Sequence, residues 1–248
     1  MIYTVISISY LLLFSLISLF MLPYTWILRK IDRNKGDMAA LRYVQWGFRC
    51  VTATTGMRVT IEGREHLITD RPVLYVVNHR SIFDVVVSYG YMPTLTGYIS
   101  KEEIGKIPVI SPWMRRLYCL FLPRDDIKQS LQVILTAIDQ VKAGISMTIF
   151  PEGTRNKGSE PLLPFKGGAF KPAEKTLCPV VPVVLSYDGP VLEQSFPFLK
   201  KMRVILRFGE PIVTEGLSRE ALKQVPETAH SHMYDMVLAN EKELGLMH

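Results

Sequence analysis

The chain has 248 residues, 48% of them apolar and 21% charged, and a formal net charge of +6. That composition excludes wholesale disorder and is enough to build one large α/β domain. Three scattered cysteines, Cys50, Cys119 and Cys178, are too few for a disulfide framework or a cysteine zinc site, and they suit a reducing compartment.

The first 28 residues carry no charged side chain. As a helix, the run from Met1 to Leu22 would extend about 33 Å at roughly 1.5 Å per residue, close to the hydrocarbon thickness of roughly 30 Å. Pro23 is expected to interrupt it. Tyr24 and Trp26 then stand where interfacial aromatics belong. Seven basic residues follow between Arg29 and Thr60 (Arg29, Lys30, Arg33, Lys35, Arg42, Arg49 and Arg58), against only Asp32 and Asp37. Most of the excess charge therefore lies beside the apolar run. Such a collar fits an anionic lipid surface, and nothing similar marks a nucleic-acid groove elsewhere. The basic residues follow the run and no small-residue cleavage site stands nearby, so the segment reads as an uncleaved anchor. The positive-inside rule then puts the bulk of the chain on the cytoplasmic face, the inner or plasma membrane in a bacterium. Ser7, Ser9, Ser15 and Ser18 weaken the span, and an in-plane helix is the alternative.

Residues 38–55 follow a helical repeat through Leu41, Val44, Phe48 and Val51, with Arg42 and Arg49 on another face. Trp46 lies off the stripe. A basic amphipathic helix after an anchor belongs at the membrane surface; the alternative is an ordinary packing helix of the domain.

From Met57 onward, short β-branched runs alternate with helical patterns. Strands are expected at 57–62, 72–77, 97–100, 119–122, 147–150, 180–186 and 202–208. Ile127, Leu131, Ile134, Ile138 and Val141 trace a helix capped by Asp125 or Asp126. A polar helix over 218–244 is expected to break near Pro226. The alternation predicts an α/β fold, a central, largely parallel or mixed sheet flanked by helices, preceded by a membrane-associated helix pair. The expected division is 1–56 for the anchor and amphipathic helix and 57–248 for the α/β domain.

In such sheets, sites gather at the carboxyl ends of strands. After 72–77 comes Asn78-His79-Arg80-Ser81-Ile82-Phe83-Asp84. Ser81 and Asp84 have the spacing of a capping box, which accounts for them but not for His79. A His79–Asp84 pair would fix the ring tautomer and leave the other nitrogen as a general base. After 147–150 comes Pro151-Glu152-Gly153-Thr154-Arg155, where Gly153 permits a tight turn and Arg155 offers a planar fork for phosphate. Arg124 follows the strand at 119–122, and two guanidiniums at one sheet edge would make an anion pocket. Phe165-Lys166-Gly167-Gly168-Ala169-Phe170 opens a further helix, whose amides could hold an oxyanion.

Together these segments resemble the glycerolipid acyltransferases of the lysophosphatidic acid acyltransferase type. Asn78, His79, Ser81 and Asp84 match that family's N-H-x-S-x-x-D block, and Phe150–Arg155 matches its F-P-E-G-T-R block. Phe121-Leu122-Pro123-Arg124 looks like the block ending in a phosphate-binding Arg, with Leu-Pro where Ile-Asp is usual. Val181-Pro182-Val183-Val184 resembles the fourth block. Lys166 falls in a segment that often carries a second Lys, and here Gly167 takes that place.

The resemblance implies acyl transfer from acyl-CoA or acyl-ACP to the sn-2 hydroxyl of 1-acyl-glycerol-3-phosphate, giving phosphatidic acid. His79 would be the base and Asp84 its orienting partner. Arg124, Arg155 and Lys166 would bind phosphate. Glu152, Gly153 and Thr154 would position substrate, and Ser81 would cap the helix. No cofactor or metal is implied. The expected partners are lysophosphatidic acid, the acyl thioester, an anionic bilayer and, as a donor, acyl carrier protein; no nucleic acid is expected. The rival readings are transfer to glycerol-3-phosphate or another lysophospholipid, a membrane-anchored lipid-binding module that has no need of His79, and a metallohydrolase on His230 and His232, which read instead as a solvated helix face.

Overall fold

The structure, a computed structural model, describes residues 1–123 and 126–246. Helices α1 (Ile2–Ile31) and α2 (Arg33–Thr54) precede β1 (Met57–Glu62). Then come β2 (Leu74–Val77), α3 (Phe83–Gly90), β3 (Thr96–Lys101), α4 (Ile110–Arg116), β4 (Leu120–Leu122), α5 (Ile127–Lys142), β5 (Ser146–Ile149), α6 (Lys171–Thr176), β6 (Val180–Tyr187), α7 (Leu192–Ser195), β7 (Met202–Phe208) and α8 (Arg219–Leu244). Every expected strand forms. The seven make one sheet in the order β1-β7-β6-β2-β5-β3-β4. It is mixed: only β6 and β7 pair antiparallel, so β1 and β7 run against the other five.

The period-two geometry of a strand sends alternate side chains to opposite faces. In β2 and the residue before it, Val73, Tyr75 and Val77 join one hydrophobic cluster with α2 and α3. Leu74 and Val76 join the other, with α5, α6 and α8. Both clusters are dry, so β2 reads as a continuous apolar run with no polar face. On the second face α8 lays down Val225, Ala229, Met233 and Val237, all buried. The expected break at Pro226 does not occur: the helix continues through it. A mid-helix proline costs about 3 kcal/mol, and this apolar stripe, packed on the sheet on both sides of Pro226, offsets that cost. Asp126 caps α5, accepting from the Gln129 N–H at 2.9 Å.

Nor does Pro23 interrupt α1, which runs on to Ile31 and, at about 1.5 Å per residue, is roughly 45 Å long. It folds back antiparallel on α2. Ser7 Oγ meets Thr54 at 3.3 Å, Ser18 Oγ meets Tyr43 Oη at 2.9 Å, and Arg29 Nε meets Asp37 at 3.2 Å. Its buried residues are the polar ones, Thr4, Ser7, Ser18 and Thr25, while Leu12, Leu16, Leu19, Phe20 and Ile27 face outward. Ser7 and Ser18 therefore pack inward against α2, Ser15 is half-buried, and Ser9 stays on the exposed surface. Both ends of α1 are fastened to the rest of the chain. Near the start, Thr4 Oγ1 donates to the Pro197 carbonyl. At the far end, buried Asp37 takes Arg116 Nη1 at 2.5 Å and Tyr118 Oη at 2.6 Å, and Arg116 also donates to Thr25 O at 3.2 Å. Arg29 of the basic collar is thus spent on Asp37 and Tyr118. Arg42 and the off-stripe Trp46 are exposed on α2, while Leu41, Tyr43, Val44 and Val51 belong to the core.

Candidate active site

Three adjacent parallel strands, β6, β2 and β5, end side by side. β2 delivers Asn78 and His79. The Asn78 amide bridges to β6, donating to Leu185 O at 3.0 Å and accepting from Leu185 N–H at 2.8 Å, so the chain leaves the sheet at a fixed point. The His79 backbone is held by its neighbours: its N–H donates to Glu152 Oε1 at 2.7 Å, and its carbonyl accepts from Asn156 N–H at 2.6 Å. The ring stacks on Phe150, with centroids 4.3 Å apart.

His79 Nδ1 lies 2.9 Å from Asp84 Oδ2. The same oxygen accepts the N–H groups of Arg80 (2.6 Å) and Ser81 (2.7 Å), and Oδ1 accepts Tyr187 Oη at 2.5 Å. Asp84 is buried. Four groups converge on this buried carboxyl; with Asp84 in the acceptor role, Nδ1–H is the donor to Oδ2. Nε2 is left with a free lone pair and has no partner among the described residues, on a side chain that is 15% exposed. Burial, then the Asp84 charge, pushes the Tyr187 phenol well above its ordinary pKa. Tyr187 therefore remains a proton donor.

The capping and dyad readings of Ser81-x-x-Asp84 hold together, because one carboxylate oxygen accepts both Ser81 N–H and the imidazole. Ser81 itself does less than expected as a cap. The helix proper starts at Phe83 behind Ile82, and Ser81 Oγ accepts the Phe83 N–H at 3.1 Å while donating to Glu193 Oε2 at 2.8 Å.

Glu152 is turned to the protein. Its two oxygens accept the backbone N–H groups of His79 and of Leu163 (2.9 Å), joining the loops that follow β2 and β5. It therefore positions backbone, each oxygen accepting one N–H. Burial pushes its carboxyl above the ordinary range, and these two bonds pull it part of the way back. Gly153 turns with φ +68, and a Cβ there would lie 2.7 Å from Lys166 Nζ. Glycine thus serves twice, for the turn and for the lysine that crosses it. Thr154 is exposed at this turn. The segment from Gly167 forms a short 3-10 turn that leads into the six-residue α6. Arg155 is not a free fork: its Nη1 meets Glu193 Oε1 at 2.5 Å. Arg124 lies outside the described residues. His230 packs edge-on against Phe165, and His232 is exposed.

Tyr187 and Glu193 were not legible as site residues. Tyr187 ends β6, so the strand-end rule applied to that strand points to it. Glu193 has no comparable signal. Its carboxylate takes Ser81 Oγ, Ile82 N–H (2.8 Å) and Arg155. Burial pushes its pKa up, but those bonds outweigh it and hold the group below its ordinary value. Beside it lies a cavity of about 460 Å³ lined by Arg80, Arg155, Lys157, Tyr187, Glu193 and Glu241.

A buried carboxylate bonded to an imidazole whose second nitrogen has no partner among the described residues is the arrangement a general base requires. The acyltransferase family model matches residues 58–186, which include this centre, and the chain belongs to that family. It is 28% identical over 192 residues to the 1-acyl-sn-glycerol-3-phosphate acyltransferase of Saccharomyces cerevisiae, covering 77% of this chain and 62% of that one. It is 35% identical over 112 residues to the protein of the same name from Helicobacter pylori, covering 45% and 47%. With a chloroplastic relative from Brassica napus, matched over 39% of its length, the chain spans between about two fifths and three fifths of these curated relatives. The crystal structure of the 1-acyl-sn-glycerophosphate acyltransferase PlsC from Thermotoga maritima superposes with a TM-score of 0.79 at 25% identity, covering 96% of this chain and 95% of that one.

Proposed function

We propose that the chain moves an acyl group from a thioester to the sn-2 hydroxyl of 1-acyl-glycerol-3-phosphate, giving phosphatidic acid. The observation that carries the reading is His79, held by Asp84 through Nδ1 with Nε2 free, on a scaffold that matches PlsC along nearly its whole length. An alcohol must lose its proton as it attacks. His79 Nε2 takes that proton while the oxygen bonds to the thioester carbonyl. The tetrahedral adduct then expels the thiolate, the C–S bond breaks, and the proton on Nε2 passes to sulfur. No acyl-enzyme is required, since the thioester is already activated. No cofactor enters this scheme; acyl-CoA or acyl-ACP is a co-substrate.

The acceptor's phosphate needs positive charge near the base. The candidates are Arg155, Lys157 and Arg80, the last paired with Glu241 at 3.8 Å, which line a cavity beside Tyr187 and Glu193, and Lys166 over Gly153. The phosphate competes with Glu193 for Arg155, and its grip sets the hydroxyl against the thioester.

The bilayer supplies a lipid acceptor, and α1 is the contact. A helix with polar residues inward and apolar residues outward is the reverse of a water-facing helix. Both its ends are tied to the domain across about 45 Å, so it lies in the plane of the interface along the domain, with the cytoplasmic leaflet as the surface that its basic collar fits. The test is transfer by the purified full chain in lipid vesicles, offering acyl-CoA and acyl-ACP against lysophosphatidic acid, glycerol-3-phosphate and neutral lysolipids. The reading requires thioester-dependent acylation with lysophosphatidic acid as the preferred acceptor.

A further inference from the structure

We propose that the connection between β6 and β7 is a second lipid-contacting element, one that inserts into an anionic bilayer beside the start of α1; this rests on the reading of α1 as lipid-facing. The connection ends in Phe196-Pro197-Phe198-Leu199-Lys200-Lys201. Phe196 and Phe198 are 61% and 59% exposed, while Leu199 between them and the lysines is buried and roots the segment. Lys200 and Lys201 are exposed. Single exposed apolar residues are ordinary on a soluble surface. Two phenylalanines at one tip, followed directly by two lysines, have the chemistry of a membrane-interface loop: aromatic rings at headgroup depth and cations against anionic lipid.

The position of this tip is fixed by contacts at both sides. Thr4 in the first turn of α1 donates to the Pro197 carbonyl, between the two rings in sequence. A Cβ at Gly56 would meet both the Tyr3 ring at 3.3 Å and the Lys201 backbone at 3.5 Å, and Met202 N–H donates to Gly56 O at 3.3 Å. The tip is thereby packed against the helix whose outward residues include Met1, Ile2, Val5 and Ile8. At its other end the same connection reaches the active site, where Glu193 binds Ser81, Ile82 and Arg155. Only three residues separate Glu193 from Phe196's immediate neighbour Pro197. The tip and the cavity thus belong to one connection, through Glu193, which lines the cavity with Arg80, Arg155 and Lys157.

The experiment is flotation of the full chain with vesicles of phosphatidylglycerol and phosphatidylethanolamine, and with vesicles of phosphatidylcholine alone. Burying even part of two phenylalanines is worth enough that Phe196→Ser with Phe198→Ser weakens partitioning about tenfold on both vesicle types. Lys200→Glu with Lys201→Glu weakens it about tenfold or more on the anionic vesicles and leaves phosphatidylcholine unaffected. Unchanged partitioning of the folded Phe196→Ser/Phe198→Ser protein overturns the proposal. If those substitutions disturb folding, Phe198→Trp supplies the test: brominated acyl chains must quench emission beyond that of the parent protein, and equal quenching overturns the proposal. Vesicle binding needs no turnover, so a failure here is separate from a failure of the acyl-transfer reading.

Discussion

Tyr187 Oη donates to Asp84 Oδ1 at 2.5 Å, on the opposite side of the carboxylate from His79 Nδ1. The two residues are 103 positions apart in the chain and meet because β6 and β2 are neighbours in the sheet. The bond fixes which way the carboxylate faces. Tyr187→Phe removes it and is expected to lower kcat about tenfold, as the loss of one hydrogen bond to a charged group implies, with the KM of both substrates little changed. A role limited to packing would lower the melting temperature and leave kcat in place.

Asp84→Asn sets an amide where the carboxylate accepts four donors. The expected result is a loss of kcat of about 100-fold to 10,000-fold, the range of a general base that has lost its state and orientation. Steady-state kinetics beside a thermal melt separate this from the capping role. Full activity in a less stable protein would reduce Asp84 to a cap.

Arg155 and Glu193 should give opposite results. Arg155→Ala removes a charged donor and is expected to raise KM for the phosphorylated acceptor about tenfold to 100-fold with little change in kcat. Glu193→Gln weakens the internal competitor for that guanidinium and is expected to lower the same KM a few-fold. An effect of Arg155→Ala confined to the thioester's KM would contradict the phosphate assignment.

The raised pKa of Glu152 has a sign that can be checked. A carboxyl whose folded pKa lies above its unfolded value stabilises the protein most below the ordinary range, and that contribution is lost as pH rises through the folded pKa. Glu152→Gln does not titrate. Melting temperatures of the two proteins from acid to neutral pH should therefore diverge, with the wild type losing ground to the variant as pH rises. Parallel curves would mean that the two backbone bonds cancel the effect of burial, and a wild type that gains on the variant as pH rises would mean that they outweigh it.

The inner strands β2, β5 and β6 were readable because they bury both faces and so show as apolar runs, Val180–Tyr187 being the longest, while β1 and β7 keep exposed positions and show as alternation. The His79–Asp84 pair was readable because it is local: strand end, turn and helix start lie within six residues. Prolines misled in α1 and α8, since a local rule cannot see the packing that carries a helix through Pro23 or Pro226. Composition does not tell which face the serines of α1 occupy: Ser7 and Ser18 are buried against α2, and Ser9 is exposed. Tyr187 and Glu193 reach the site from far along the chain, through the sheet order and the β6–β7 connection, and no spacing in the sequence encodes those contacts.

The central claim is that His79 Nε2 takes the acceptor's proton. Its most direct test is acyl transfer to lysophosphatidic acid by His79→Ala in vesicles, beside a thermal melt. The account predicts a loss of kcat of at least about 1,000-fold with the fold retained, since the backbone bonds to Glu152 and Asn156 survive the substitution. Turnover within a few-fold of the wild type would contradict it.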